Sequence, residues 1–152
     1  MERARPILSL LGKTILHVGK VGDGTRAKLI LNLIQAGMLT VFSEGLSLAK
    51  RLDLPPATVL QVLEHSAGNA PLFRTKGAFL MRRDFSTNFS LKLMNKDLKL
   101  ALQEADRLGA RLRASESISD LFSAALAAGF LEEDFLSIAK VVEKLAGTTL
   151  LP

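Results

Sequence analysis

One segment of the sequence constrains the fold more than any other, because residues 27–48 are apolar on nearly every side of a helix. The surrounding pattern predicts a helix over residues 25–52. A surface helix carries a single apolar stripe, whereas a helix that is apolar all round must be covered on most sides. We therefore expect this helix to form the centre of a helical domain. Five companion helices do not easily cover it, so we expect one side to meet a second subunit.

Three long polar side chains interrupt the apolar helix, namely Lys28, Asn32 and Gln35. Their spacing of four and then three residues places them on one face. Burial of a lysine is costly unless the lysine is paired or functional, and a desolvated lysine releases its proton more easily. The stripe therefore fits either a proton-transfer site or a domain edge that faces solvent. The pattern alone does not favour one of these interpretations.

The rest of the chain predicts an all-α fold with one isolated strand. Residues 2–11 predict a short helix, and residues 14–18 predict a strand that cannot satisfy its backbone hydrogen bonds alone. This pair is typical of the end of a sheet whose other strands lie elsewhere. After a glycine-rich turn at 19–24, helices are predicted over 25–52, 56–65, 70–81, 89–108, 115–128 and 133–145. We expect the tail over 148–152 to be frayed.

Composition narrows the classes of function. The chain has 152 residues, 48% of them hydrophobic, and no cysteine, which suits one domain without disulfides and fits a cytoplasmic protein. The net charge is +5, but Trp and Tyr are absent, so we do not expect nucleic-acid binding. His17 and His65 lack metal-ligand spacing, so no metal site is expected. The longest apolar run, residues 29–42, is too short for a membrane span.

A second polar stripe lies on the predicted helix over residues 89–108. It consists of Lys92, Lys96, Lys99 and Gln103. Such a stripe is usually a solvated face, and the pattern alone favours that interpretation. Asp97 follows Lys96 directly but lies roughly 100° round the helix, so we expect it to point to a different face.

Two blocks of sequence resemble the β-hydroxyacid dehydrogenases. The first is GKVGDGTRAKLILN at residues 19–32, in which three glycines precede Lys28 and Asn32. The second is FSLKLMNKDLKLA at residues 89–101. The blocks have the order and separation of that family, and the resemblance covers about residues 2–147. The family often has two adjacent asparagines where this chain has Leu31 and Asn32. The stretches 28–32 and 42–49 are most similar to the glyoxylate/succinic semialdehyde reductase branch.

The resemblance implies a two-part architecture. In such enzymes a nucleotide-binding Rossmann domain precedes an all-helical domain of the 6-phosphogluconate dehydrogenase C-terminal type, which often forms a dimer. Residues 1–20 would then be the last helix and strand of the Rossmann domain. Residues 21–152 would form the helical substrate-binding and dimerisation domain.

The resemblance also implies roles for five residues. Lys28 would be the general acid and base in the reduction of a small aldehyde acid or the oxidation of the hydroxyacid. Asn32, one turn away, would help hold the substrate, and Phe89 would line its pocket. Lys96 would lie beside the cofactor, NADP or NAD, and Asp97 would belong to the network that binds the substrate. The implied partners are a small carboxylic acid and a second copy of the chain.

Two other classes of function compete with this one. The first is a non-enzymatic helical dimerisation module derived from the same family, and Lys28 argues against it because such a module has no need of an acid. The second is a basic binder of nucleic acid or membrane surfaces, which only the net charge supports. The glycines at 19–24 precede a long helix and not a βαβ unit, so they do not form a dinucleotide fingerprint. We therefore expect the chain alone to be inactive.

Overall fold

The computed structural model describes residues 2–150 and is all-helical, which confirms the predicted fold class. The α-helices of this part of the chain are α1 (Arg5–Leu11), α2 (Asp23–Arg51), α3 (Pro56–Glu64), α4 (Pro71–Leu80), α5 (Leu91–Arg107), α6 (Arg113–Ala127) and α7 (Ile138–Ala146). Short 3-10 helices over Glu2–Ala4 and Phe135–Ser137 precede α1 and α7. Over residues 2–150 the β-type pairing is limited to one isolated antiparallel bridge between Ser90 and Asp134.

Helix α2 forms the centre of the fold, as the apolar pattern predicted. Its interior holds no proline and is rich in leucine and alanine, which favours a long helix. Helix α2 contacts α5, α6 and α7. The most deeply buried side chains along these contacts are Leu39, Leu46, Met94, Leu98, Phe122 and Ile138, each no more than 2% exposed. Full burial of one such side chain contributes about 1.5–3 kcal/mol, so this core fixes α2 against α5.

The outer side of α2 is also apolar but remains exposed. Ile30, Ile34, Val41 and Leu48 are between 50% and 62% exposed. Their spacing of four or seven residues places them along one face, which we call the outer stripe. The helix is thus apolar all round for two separate reasons. Its inner side builds the core, and its outer side is left uncovered by the other helices.

Helix α2 is longer than the apolar run at 29–42 suggested. It has 29 residues and a window of mean hydropathy 1.4, so by length and composition alone it could cross a membrane. The expectation concerned the run at residues 29–42 alone, and the helix extends well beyond that run. However, 39% of the window is buried inside the fold, and the buried residues include Asn32, Thr40 and Ser43. A core helix passes the same test, so the length of α2 is weak evidence for a span.

The predicted helix ends from α2 to α6 lie within two residues of the observed ones, but α7 begins later than predicted. The carboxylate of Asp134 accepts a hydrogen bond from the backbone N–H of Leu136 at 2.9 Å. This cap starts a 3-10 turn, and the regular helix begins only at Ile138. Gly147 ends α7 with a φ of 59°, in the left-handed region that favours glycine.

Two local expectations differ from the structure. Residues 14–18 form no strand, and Leu16 and Val18 are 77% and 53% exposed. The physical reason is that a strand forms only when a neighbouring strand accepts its hydrogen bonds. The tail over 148–150 is not frayed, because Leu150 is 1% exposed and its N–H donates to Glu143 Oε1 at 2.9 Å. The last two residues of the predicted frayed tail, 151–152, lie outside the described residues.

Candidate active site

The first turns of α2 meet α5 around the buried carboxylate of Asp97. Lys28 Nζ donates a hydrogen bond to Asp97 Oδ2. Asn32 Nδ2, one helical turn further along α2, donates to the same oxygen at 2.7 Å. Lys96 Nζ lies 3.0 Å from the other oxygen, Oδ1. A single carboxylate, 2% exposed, therefore binds all three polar side chains.

Lys96 and Asp97 share this site, contrary to the expectation that they point to different faces. Their Cβ atoms do diverge by roughly 100° on the helix. The long flexible stem of lysine nevertheless carries the ammonium round the helix to the carboxylate. The other members of the lysine stripe, Lys92, Lys99 and Gln103, are exposed, as a solvated face requires.

The electrostatics of the cluster depend on unequal burial. The side chains of Lys28 and Lys96 are 48% and 57% exposed, whereas Asp97 is almost completely buried. Burial by itself would raise the pKa of Asp97, but the hydrogen bonds from Lys28, Lys96 and Asn32 outweigh it and hold that pKa below its ordinary value. Asp97 is therefore a fixed negative charge near neutral pH. It orients the Lys28 ammonium, which has three N–H donors and keeps some of them for the open side.

Phe89 forms one wall of the site. The Lys28 Nζ lies 5.5 Å from the centroid of the Phe89 ring, within the range of a cation–π contact. The backbone N–H of Phe89 donates to Asp134 Oδ2 at 3.1 Å. All the site residues that the sequence indicated lie within this one cluster: Lys28, Asn32, Phe89, Lys96 and Asp97.

The sequence reasoning missed a second lysine–aspartate pair beside the site. Lys76 Nζ of α4 donates to Asp134 Oδ1 at 2.7 Å, and the two side chains are 8% and 2% exposed. Asp134 carried one local signal, since aspartate is a favoured residue directly before a helix. Lys76 carried no such signal. Gln35, the third member of the α2 stripe, is not among the partners of Asp97.

Within residues 2–150, the open side of the cluster around Asp97 could hold the nicotinamide end of a cofactor. Lys28 and Lys96 present half-exposed ammonium groups on an open side, which suits a polar ring substituent or a substrate carboxylate. A pyrophosphate requires free backbone N–H groups at a helix start. In the turn before α2 the carboxylate of Asp23 accepts the N–H of Lys20 at 2.8 Å, so that N–H is not available to a phosphate. Within residues 2–150, no group of three His, Asp or Glu residues could hold a metal ion.

Comparisons with known proteins identify the family to which the chain is similar. The family described as NAD-binding of NADP-dependent 3-hydroxyisobutyrate dehydrogenase matches residues 22–142. The chain is 31% identical over 142 residues to glyoxylate/succinic semialdehyde reductase 2, chloroplastic, of Arabidopsis thaliana, with 93% of this chain and 40% of that protein covered. It is 32% identical over 133 residues to the cytokine-like nuclear factor N-PAC of Aedes aegypti, with 88% and 24% covered.

The fold has a solved counterpart. The structure of Mycobacterium tuberculosis 3-hydroxyisobutyrate dehydrogenase with L-serine superposes with a TM-score of 0.83 at 30% identity, and the match covers 95% of this chain and 50% of that one. The chain thus spans half or less of the length of each of these proteins. The family match contains every residue of the cluster around Asp97, and the family indicated by the two sequence blocks is confirmed. The chain belongs to the NAD-binding family of NADP-dependent 3-hydroxyisobutyrate dehydrogenase.

Proposed function

We propose that this chain is the substrate-binding and dimerisation part of an NAD(P)-dependent hydroxyacid dehydrogenase, with Lys28 as the general acid and base. The reaction is the reduction of a small aldehyde acid or the reverse oxidation of the hydroxyacid. The observation that carries the proposal is the pairing of a half-exposed Lys28 with the buried carboxylate of Asp97. That arrangement fixes a proton donor in position and leaves it accessible to a ligand.

We assign residues 21–152 to this part and residues 1–20 to the end of a nucleotide-binding domain. The exposed apolar side chains of Leu16 and Val18 support the assignment. Side chains of this kind are normally covered, and a sheet that accepted residues 14–18 as a strand would cover them.

The proposed chemistry is a proton transfer by Lys28 coupled to a hydride transfer. Bound NAD(P)H supplies the hydride to the carbonyl carbon. As the π bond of the carbonyl breaks, its oxygen gains negative charge, which the Lys28 ammonium stabilises before donating a proton to it. The neutral amine then takes a proton from solvent, to which its side chain is 48% exposed. General acid catalysis of this type is typically worth about 10²–10⁴-fold.

The neighbouring residues complete the proposed site. Asp97 orients Lys28, and Asn32 keeps its carbonyl oxygen and one N–H for the substrate after donating to Asp97. Phe89 packs against the carbon skeleton of the substrate, and Lys96 lies on the cofactor side. The two ammonium groups outnumber the single carboxylate, and the surplus positive charge suits an acidic substrate.

The substrate class rests on the sequence branch and on the name of the Arabidopsis relative, which support glyoxylate or succinic semialdehyde, and the description of the matched family supports NADP as the cofactor. The test is NADPH oxidation by the holoenzyme, in which the nucleotide-binding half accompanies this chain, with each aldehyde acid in turn. The 152-residue chain alone is the control and should not turn over, because its glycines at 19–24 precede a long helix and do not form a dinucleotide fingerprint. Failure of the holoenzyme to reduce any small aldehyde acid would overturn the proposal.

The chain is further proposed to form a homodimer through α2. The outer stripe, defined above, is an apolar face that a second copy would cover. We expect an interface of more than about 2,000 Å² in total, as in obligate dimers. Light scattering at micromolar concentration should give twice the mass of 16.4 kDa. Ile34→Glu with Val41→Glu should give monomers, whereas Lys99→Glu on α5 should not. A stable wild-type monomer contradicts this assembly.

A non-enzymatic dimerisation module is the second candidate function. The outer stripe and the similarity to a nuclear factor favour it. The pairing of Lys28 with Asp97 favours the enzyme, because a module that only dimerises has no use for a half-exposed lysine beside a buried carboxylate. A holoenzyme, with the nucleotide-binding half present, that forms a dimer but neither binds NADPH nor reduces an aldehyde acid would decide for the module.

A further inference from the structure

The proposed reaction makes no use of the most deeply buried ion pair beside the site, Lys76 with Asp134. One oxygen of the carboxylate, Oδ1, accepts hydrogen bonds from Lys76 Nζ at 2.7 Å and from the N–H of Leu136 at 2.9 Å. With both side chains less than 10% exposed, neither charge is directed at a ligand. Such a pair is costly to bury, so its contacts deserve a structural or functional explanation.

The other oxygen of Asp134 holds the segment that precedes α5. Asp134 Oδ2 accepts hydrogen bonds from the backbone N–H groups of Asn88 and Phe89, each at 3.1 Å. The carbonyl of Phe89 in turn accepts the N–H of Phe135 at 2.9 Å, and the carbonyl of Phe85 accepts the N–H of Asp134 at 3.0 Å. The segment over 85–89 is thereby fastened to residues 134–135 on both its donor and its acceptor sides.

Ring contacts continue the same connection to Lys28. The ring of Phe89 meets the ring of Phe135 edge to face, with centroids 6.2 Å apart and an interplanar angle of 79°. The ammonium of Lys76 lies 4.8 Å from the Phe135 centroid, and that of Lys28 lies 5.5 Å from the Phe89 centroid. Contacts with Phe135 and Asp134 therefore fix the position of the Phe89 ring, and this ring in turn contacts the Lys28 ammonium.

We infer that Asp134, held in place by Lys76, is a positioning residue for the active site. It fixes the Phe89 ring against the Lys28 ammonium and anchors the start of α5, which carries Asp97. A carboxylate suits this task because charge-assisted hydrogen bonds to backbone N–H groups are stronger than neutral ones. The inference has two parts. The first part is the pair of hydrogen bonds by which Asp134 holds the N–H groups of Asn88 and Phe89, which we call the clamp, and it stands on the geometry alone. The second part is the effect of the clamp on substrate, which rests on the proposed function.

Amide hydrogen exchange of the 152-residue chain tests the clamp. Asp134→Asn leaves one acceptor oxygen where there were two, so it cannot serve Leu136 and also both Asn88 and Phe89. We expect the amides of residues 88 and 89 to exchange at least about tenfold faster, as happens when local hydrogen bonds open.

The matched control for this experiment is Glu143→Gln. Glu143 is also a buried carboxylate, but its ion pair is with Arg83 and its hydrogen bond is with the N–H of Leu150, not with residues 88–89. Unchanged exchange at residues 88 and 89 in Asp134→Asn, or an equal increase in Glu143→Gln, overturns the clamp.

A double variant tests the clamp without leaving an unpaired buried charge, which would destabilise the fold. Lys76→Met together with Asp134→Asn removes both charges, so no unpaired charge stays buried. This double variant still lacks the second acceptor oxygen and should show the same faster exchange at residues 88 and 89. Protection equal to that of the wild type overturns the clamp as well.

Kinetics of the holoenzyme test the consequence for substrate. Asp134→Asn should lower the substrate kcat/KM by about tenfold, because misplacement of a substrate wall costs rate, while the cofactor KM stays the same. In a Phe89→Ala background the same change should have less than about a twofold effect, since the ring that Asp134 positions is gone. Independent, additive effects overturn the positioning role. A holoenzyme without any reductase activity overturns the proposed function instead, and the exchange experiment then still decides the clamp.

Discussion

Within residues 2–150, two lysine–aspartate pairs join segments distant in sequence, and they differ in how much of the lysine remains exposed. Lys28 is 48% exposed above the buried Asp97, whereas Lys76 is 8% exposed beside the equally buried Asp134. The partners of the Asp97 carboxylate are the side chains of Lys28, Asn32 and Lys96. The Asp134 carboxylate accepts one hydrogen bond from a side chain, that of Lys76, and its other hydrogen bonds come from backbone N–H groups.

In the proposed function, this difference in exposure separates a pair that takes part in the reaction from a pair that only holds the backbone in place. The ammonium of Lys28 has donors free for a ligand, and solvent can return a proton to it. Asp134 instead accepts hydrogen bonds from the backbone N–H groups of Asn88 and Phe89, and both members of its pair are buried, so that pair holds the segment before α5. In the proposed function, the same two residue types perform different tasks, and the exposure of the lysine distinguishes them.

The largest expected effect concerns stability. Lys76→Met removes one partner of a buried pair and should lower the free energy of unfolding by about 3–5 kcal/mol, because Asp134 keeps a buried charge without its counter-ion. Lys28→Met should cost less than about 1 kcal/mol, since that ammonium is half exposed and screened, and Asp97 retains Lys96 and Asn32. Urea unfolding at matched protein concentration measures both. Equal losses would break the distinction between the pairs.

The next effect concerns catalysis by Lys28, whose ion pair with Asp97 we call the open pair because its lysine is half exposed. In the holoenzyme, Lys28→Ala should lower kcat by at least about 10²-fold, as loss of a general acid does. Lys28→Arg should not restore the rate, because a guanidinium does not release its proton near neutral pH. Lys99→Ala, on the exposed face of α5, is the control and should be neutral. A Lys28→Ala enzyme with near-normal kcat would remove Lys28 from the mechanism.

A smaller effect distinguishes the two other partners of Asp97. Lys96→Ala should raise the cofactor KM more than the substrate KM, and Asn32→Ala should mainly lower the substrate kcat/KM. We expect about tenfold in each case, the size of one hydrogen bond that involves a charged group. Steady-state kinetics with each ligand varied in turn give the four values. The reverse pattern would exchange the two assigned roles.

The fold was predictable where the signals are local. Apolar residues on every side of residues 27–48 indicated the central helix, and Gly147 indicated the end of α7. The start of α7 was not predictable in the same way, since the side chain of Asp134 forms its cap and also binds a distant loop. Residues 14–18 have the composition of a strand, but a strand also needs a partner, which local composition does not supply.

The site was predictable only in part for the same reason. Spacing alone placed Lys28 and Asn32 on one face, and the resemblance added the second block with Asp97. That Lys28 reaches Asp97, 69 residues away, depends on how α2 packs against α5, which periodicity does not determine. The angle between neighbouring positions on a helix predicted that Lys96 and Asp97 point apart, but the Lys96 ammonium reaches the Asp97 carboxylate. That angle describes Cβ directions and ignores the length of a lysine side chain.

The smallest expected effect is a pH dependence of stability that belongs to the open pair. The pKa of Asp97 is lowered in the folded chain, since the hydrogen bonds from Lys28, Lys96 and Asn32 outweigh the opposing effect of burial. A carboxyl whose pKa is lower in the folded than in the unfolded chain stabilises the fold at pH values above its unfolded pKa, about 3.9. That contribution is lost as the pH falls through the folded pKa.

Asp97→Asn should therefore be less stable than the wild type by about 1 kcal/mol at neutral pH, a small value because two of the three donors are half exposed. The gap should narrow steadily as the pH is lowered from 5 towards 3, while contributions from other carboxyls, such as Asp84 and Glu104, cancel between the two proteins. Urea midpoints across this range measure the gap. Parallel curves for the two proteins would mean that Asp97 is not held ionised by its partners, and the open pair would then lose the fixed charge on which its contrast with Lys76 and Asp134 depends.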